Sequence, residues 1–172
     1  ETPGCSEVIH FNNAGASLPP GVVIDRIVGY LTEEARIGGY ELAELRSEEL
    51  AGVYTSVASV IKATAHEIAL LDNATRAWDM AFYSLSFTAG DRILTTSTEY
   101  AANLIAYRHI CDRTGARVEV VPDTVAGEID VEALEAMIDE RVRLIPINHV
   151  PTNGGLVNPA AAVGRAARRS GV

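Results

Sequence analysis

The stretch Leu70-Leu71-Asp72-Asn73-Ala74-Thr75-Arg76-Ala77-Trp78-Asp79 decides the fold. Upstream of it, Glu67-Ile68-Ala69-Leu70-Leu71 is a short apolar run of the kind a buried strand uses, so a strand is expected over 68–71. Downstream, Ala77, Met80, Ala81, Leu85 and Phe87 recur at roughly helical spacing. The stretch reads as strand, tight polar turn and helix start near Thr75. The first N–H groups of such a helix lack partners and sit at the positive end of its dipole, which makes the turn a ready anion site. Asn73 and Thr75 are the candidate caps, and the Thr75 hydroxyl is alternatively a donor to a phosphate oxygen. On these ten residues alone, a capped helix with no ligand is the simpler reading.

Working outward, strands alternate with helices. A turn at Ala89-Gly90-Asp91 leads to a strand over 92–96, then a helix from about Ala102 to Arg113 and a strand over 118–121. Glu128-Ile129-Asp130 opens a helix through Ala133, Leu134 and Ile138; a strand follows over 142–147, and Pro159 stands as the first residue of a last helix running to Arg169. This alternation predicts an α/β domain with a largely parallel sheet and helices on both faces. In such sheets ligands gather at the carboxyl ends of the strands, which singles out the loops 73–76, 97–103, 122–127 and 148–158. Toward the N-terminus, 12–20 is turn-rich and short of bulky side chains. An amphipathic helix runs from Gly21 toward Arg36, stopped by Gly38-Gly39, and a second apolar-striped helix runs from about Leu42 to Lys62.

Composition narrows the partners. The chain has 172 residues, 48% of them hydrophobic, enough for a real core. A net charge of -9 and the lack of any basic block argue against nucleic acid and anionic membrane as partners. Cys5 and Cys111 lie far apart, and none of the four histidines pairs with another ligand residue at a metal-binding spacing, so no metal site is expected. With no run of eighteen apolar residues and no leader pattern, a soluble cytoplasmic protein is expected. Neither G-x-G-x-x-G after a strand nor a G-x-x-x-x-G-K-[ST] loop occurs. Tyr100, beside Glu99 at the rim of the sheet, is the candidate aromatic platform and proton shuttle; Thr152 lies in a polar, glycine-rich turn suited to ligand oxygens.

Four segments, in order, resemble the class V aminotransferase-like family of fold type I enzymes that use pyridoxal 5′-phosphate (PLP). They are His10-Phe11-Asn12-Asn13-Ala14-Gly15; Asn73-Ala74-Thr75 with its helix; Gly90-Asp91-Arg92-Ile93-Leu94 followed by Glu99-Tyr100-Ala101-Ala102-Asn103; and His149-Val150-Pro151-Thr152-Asn153-Gly154-Gly155-Leu156-Val157-Asn158-Pro159. The resemblance implies that Ala74, Thr75 and the Arg76 backbone N–H bind the cofactor phosphate. It also implies that Tyr100 stacks on the pyridine ring, that Thr152 steadies the phenolic oxygen, and that Asn13, Ala14 and Gly15 border the substrate. The glycine-containing loop 36–39 resembles one that approaches the partner's site in a homodimer. In the family His is typical at the Tyr100 position of cysteine desulfurases and selenocysteine lyases. Tyr is typical of the isopenicillin N epimerase-like and some C–S lyase branches, which weights lyase or epimerase chemistry.

The implied function is a PLP-dependent enzyme acting on an amino acid, a small-molecule substrate, through an external aldimine, with C–S lyase, epimerase or aminotransferase chemistry. By the resemblance, residues 1–66 are an N-terminal segment with helices and 67–172 the first part of the PLP-binding large domain. The Schiff-base lysine, the ring-nitrogen Asp and the substrate-carboxylate Arg are expected beyond Val172. Lys62, the only lysine, is expected to be a solvated surface residue. Two rivals stand beside this: a non-catalytic fragment or degenerate relative serving as scaffold or partner subunit, and a nucleotide-binding α/β module resting on the Thr75 helix start.

Overall fold

The computed structural model describes residues 1–152 and 154–172 and divides into two compact units, Glu1–Leu71 and Asp72–Val172. The first unit is helical. A one-turn helix α1 (Asn13–Ala16) forms where the sequence suggested only a turn, because the Asn12 side chain caps it by accepting from the Gly15 N–H at 3.1 Å. Helix α2 (Gly21–Ile37) ends at Gly38, whose φ of +100° a side chain would strain. The expected second helix is two, α3 (Gly39–Leu45) and α4 (Ser47–Ile61). The break falls at Arg46, whose guanidinium reaches Glu33 of α2 at 2.8 Å and Glu49 of α4 at 3.8 Å, so tertiary ion pairing overrides an unbroken helical pattern.

The second unit is built on a parallel sheet of three strands in the order β2 (Arg117–Val120), β1 (Arg92–Thr95), β3 (Val142–Leu144). Period-two alternation splits the central strand between two cores. Ile93 faces a cluster with Phe82, Phe87, Ala106, Tyr107 and Ile110 from α5 (Ala74–Tyr83), α6 (Ala101–Thr114) and the connection between α5 and β1; Leu94 faces Val121, Ile129, Leu134, Val163 and Ala166 on the side of α7 (Val131–Met137) and α8 (Ala160–Ser170). Helices thus cover both faces, as the alternating pattern predicted.

Two strand expectations need correction. Residues 68–71 form no strand: Ile68 is extended, but no strand among the described residues runs alongside to accept its ladder bonds. The last strand stops at Leu144 rather than 147, because Pro146 has no N–H to donate and its carbonyl is taken by the Thr95 hydroxyl at 3.3 Å. Helix α6 ends at Gly115, where φ is +79° and a Cβ would also sit 3.2 Å from Ala89 Cβ. Pro159 is the cap of α8 rather than its first residue.

Arg92 clamps the amino end of the sheet. Its Nε and Nη2 donate to both oxygens of Glu119 at 2.8 and 2.7 Å, and Nη1 donates to Asp139 and the Met137 carbonyl, both at 2.8 Å. The Arg92 hydrogen bonds hold the Glu119 carboxyl below its usual range against the opposing pull of partial burial. Because the folded pKa is depressed, this contribution is present above about pH 4.3 and is lost as pH falls below it. Arg92→Leu is expected to cost about 1–2 kcal/mol at neutral pH, discounted because Glu119 and Asp139 remain partly solvated. Urea melts of both proteins should converge as pH is lowered through about 4; a gap independent of pH would refute the ionic origin.

Candidate functional site

The carboxyl ends of the three strands carry one knitted set of loops. After β1, Ser97 donates to Asp123 in the loop after β2 at 2.5 Å, while Thr98 meets the loop after β3 through Asn148 Nδ2 (3.4 Å) and Asn158 Nδ2 (3.5 Å). Asn158 is 1% exposed and satisfied on every side: its Oδ1 accepts from the Ile129 N–H at 2.9 Å and its Nδ2 donates to the Asn148 carbonyl at 2.7 Å. The three loops singled out after strands are therefore brought together by polar side chains.

Glu99 sits at the middle of this edge. One carboxylate oxygen accepts from the Tyr100 N–H (2.8 Å) and Asn103 Nδ2 (2.9 Å), the other from the Tyr107 hydroxyl (2.8 Å), with the Thr95 hydroxyl 3.2 Å away and its one proton shared between this oxygen and the Pro146 carbonyl. Tyr100 stands at the head of α6, the residue 42% exposed, and its hydroxyl has no partner among the described residues. Thr152 is half-buried in the loop after β3; its neighbour Asn153 lies outside the described residues.

The turn before α5 behaves as a capped helix start. Asn73 is the cap, accepting from the Arg76 N–H at 2.8 Å, so that N–H is engaged inside the protein. The Ala74 and Thr75 N–H groups and the Thr75 hydroxyl have no partner among the described residues, and all three residues from Ala74 to Arg76 are exposed. The Arg76 side chain pairs loosely with Asp72 at 3.7 Å. Two N–H groups and a hydroxyl at the positive end of a ten-residue helix form a donor set that fits a phosphate monoester. Asn13, Ala14 and Gly15 belong to α1 in the first unit, exposed, with Asn13 Oδ1 accepting from Ser17 at 3.4 Å. Lys62 is also exposed there, on the left-handed cap of α4.

Sequence reasoning missed the central parts played by Glu99 and Asn158. Glu99, Asn103 and Tyr107 are spaced at i, i+4 and i+8, which puts them on one face of a helix start and its flank; that signal was readable. Asn158 gave no such signal, because its side-chain partners are 10, 29 and 60 residues away, none at a helical or turn spacing. Among the described residues no group of three or more His, Cys, Asp or Glu is placed to hold a metal ion, and no helix is long and apolar enough to cross a membrane.

A parallel sheet whose strand-end loops converge at its carboxyl edge defines an α/β protein of the kind that binds ligands at that edge. The chain belongs to the aminotransferase class-V family, whose model matches residues 9–172. It is 32% identical over 171 residues to a probable cysteine desulfurase of Xylella fastidiosa, an alignment covering 96% of this chain and 41% of that protein. The chain thus spans about two-fifths of the length of the curated relatives it matches. Among solved structures it resembles a cystine C–S lyase in complex with its product cysteine persulfide, at 23% identity and a TM-score of 0.85, covering 98% of this chain and 45% of that one. The cysteine desulfurase of Thermococcus onnurineus superposes at 23% identity and a TM-score of 0.84, covering 99% and 44%. These likenesses establish the fold: the first part of a fold type I large domain.

Proposed function

We propose that this chain carries the phosphate- and ring-binding part of a PLP-dependent enzyme that cleaves a C–S bond of cysteine or cystine. The observation that carries the reading is the donor set of Ala74 and Thr75 at the head of α5, without partners among the described residues, in a chain that the aminotransferase class-V family model matches over residues 9–172. When bound, PLP supplies an electron sink for the amino acid's α-carbon. The Ala74 and Thr75 N–H groups and the Thr75 hydroxyl would hold the phosphate, while the Arg76 N–H is engaged by the Asn73 cap that fixes the turn. Tyr100 would offer its exposed face to the ring, a stacking worth about 0.5–1.5 kcal/mol beyond area burial, and its hydroxyl is a group able to hold a proton. Thr152 would serve as a hydroxyl donor to the cofactor's phenolic oxygen. The C–S branch is supported by the printed activities of the relatives, and Tyr100 favours the lyase form within it. A homodimer acting in the cytoplasm completes the proposal.

The test is an absorption spectrum of the protein as isolated, before and after borohydride, followed by sulfur-release assays with L-cysteine and L-cystine. The expected result is a visible band that borohydride abolishes, and sulfur released from one or both substrates. A colourless protein that takes up no added PLP overturns the cofactor reading. A coloured protein that racemises or transaminates without releasing sulfur overturns the C–S branch alone.

A further inference from the structure

We infer that Glu99 is a positioning residue for Tyr100: its carboxylate fixes the peptide that carries the ring-stacking aromatic. This inference rests on the proposed function above. The Tyr100 side chain has no hydrogen-bond partner among the described residues and is nearly half exposed, so no hydrogen bond of its own fixes the ring, and the placement of its peptide matters the more. That backbone is extended (φ −67°, ψ 138°) immediately before α6, a helix with no side-chain cap from residue 100. The Glu99 carboxylate holds this peptide without capping the helix's own free N–H groups. It accepts from the Tyr100 N–H and from Asn103 on the first turn, and its negative charge lies at the positive end of the helix dipole. The other oxygen is anchored to the interior by Tyr107, fully buried, and by Thr95 at the end of the central strand. A single side chain thus ties the platform's peptide to the rigid core of the unit, the arrangement that holds a stacking face in place before the ligand arrives.

The two oxygens are not equivalent, and that makes the proposal testable. One meets obligate donors, a backbone N–H and an amide NH₂; the other meets two hydroxyls, which can turn and accept instead. Glutamine can therefore present its oxygen to Tyr100 and Asn103 and its NH₂ to the hydroxyls, so Glu99→Gln should preserve the anchor. Glu99→Ala loses it.

The measurement is the dissociation constant of the protein for PLP, with the circular dichroism induced in the bound cofactor, beside the dissociation constant for inorganic phosphate. Glu99→Ala is expected to weaken PLP binding about 3- to 10-fold and to diminish the induced dichroism, leaving phosphate binding unchanged. Glu99→Gln should stay near the parent protein. In a Tyr100→Leu background Glu99→Ala should change PLP binding no further, since its effect acts through the missing ring. Equal losses in both backgrounds, or equal losses for PLP and phosphate, overturn the positioning role and leave a merely structural one. If Glu99→Ala fails to fold, Glu99→Asp, which keeps the charge but cannot reach both donor pairs, must show the same pattern against Tyr100→Leu or the inference falls. A parent protein that binds no PLP overturns the inference together with the proposed function, an outcome distinct from the Glu99-specific failures.

Discussion

Truncating Tyr107 to alanine is expected to destabilise the second unit by about 3–5 kcal/mol. The side chain is fully buried, meets Trp78 and Phe82 edge-on with ring centroids 5.3 Å away in each case, and donates its hydroxyl to Glu99 at 2.8 Å. Removing the ring opens a cavity between α5, α6 and the sheet, and takes one donor from the carboxylate. Tyr107→Phe keeps the ring and loses only the charge-assisted bond, so its cost should be about 1–2 kcal/mol. The two variants also differ in their dependence on pH. Burial first, and then the Glu99 hydrogen bond and charge, push the Tyr107 phenol above its ordinary range. A folded pKa above the unfolded value of about 10 means that the contribution is complete below about pH 10 and is lost as pH rises beyond it. The parent protein should therefore lose stability between about pH 8 and pH 11 by a component that Tyr107→Phe lacks. Urea denaturation at both pH values reads this directly through Trp78, the only tryptophan, which packs on the same cluster. An equal alkaline loss in the phenylalanine variant would refute the assignment to this phenol.

What the sequence made legible is what local chemistry decides. Asn73 before an apolar helical period marked the start of α5, and Asp130 marked α7; each is a cap whose partners lie within a few residues. Strand and helix alternation gave the layers, because β1 divides its side chains between two faces. The apolar run 68–71 failed as a strand for a non-local reason: a strand exists only where a neighbour shares its hydrogen bonds, and composition says nothing about the neighbour. The step at Arg46 was equally hidden, since it depends on Glu33 of another helix. In the candidate site, Thr75 and Tyr100 stood out by residue type and position. Glu99 was passed over as a companion of Tyr100, although the spacing of Asn103 and Tyr107 already pointed at it. The engagement of the Arg76 N–H by Asn73 follows from ordinary capping and was readable as an alternative to phosphate contact.

Asn158 is where the same logic predicts the second large effect. Replacing it with alanine leaves the Ile129 N–H, in a residue 1% exposed, without an acceptor and the Asn148 carbonyl without its donor, at an expected cost of about 2–4 kcal/mol. Because the amide also reaches Thr98, the loop carrying Thr152 should loosen from the loop carrying Tyr100, and hydrogen exchange should rise across 146–158 before the helices open. Asn158→Asp separates the lost donor from the lost volume. Its carboxyl keeps an acceptor for Ile129, but when ionised it sets a negative oxygen against the Asn148 carbonyl. Burial and that repulsion both raise its folded pKa above the unfolded value of about 3.9. Its deficit relative to the parent should thus be smallest below about pH 4, where the protonated acid can donate as the amide does, and should grow as pH rises. Urea midpoints at about pH 4 and pH 7 for parent and variant test the sign. A deficit that is constant, or that shrinks at neutral pH, would mean that this side chain does not donate to the carbonyl of residue 148, and the link between the two loops would have to lie elsewhere.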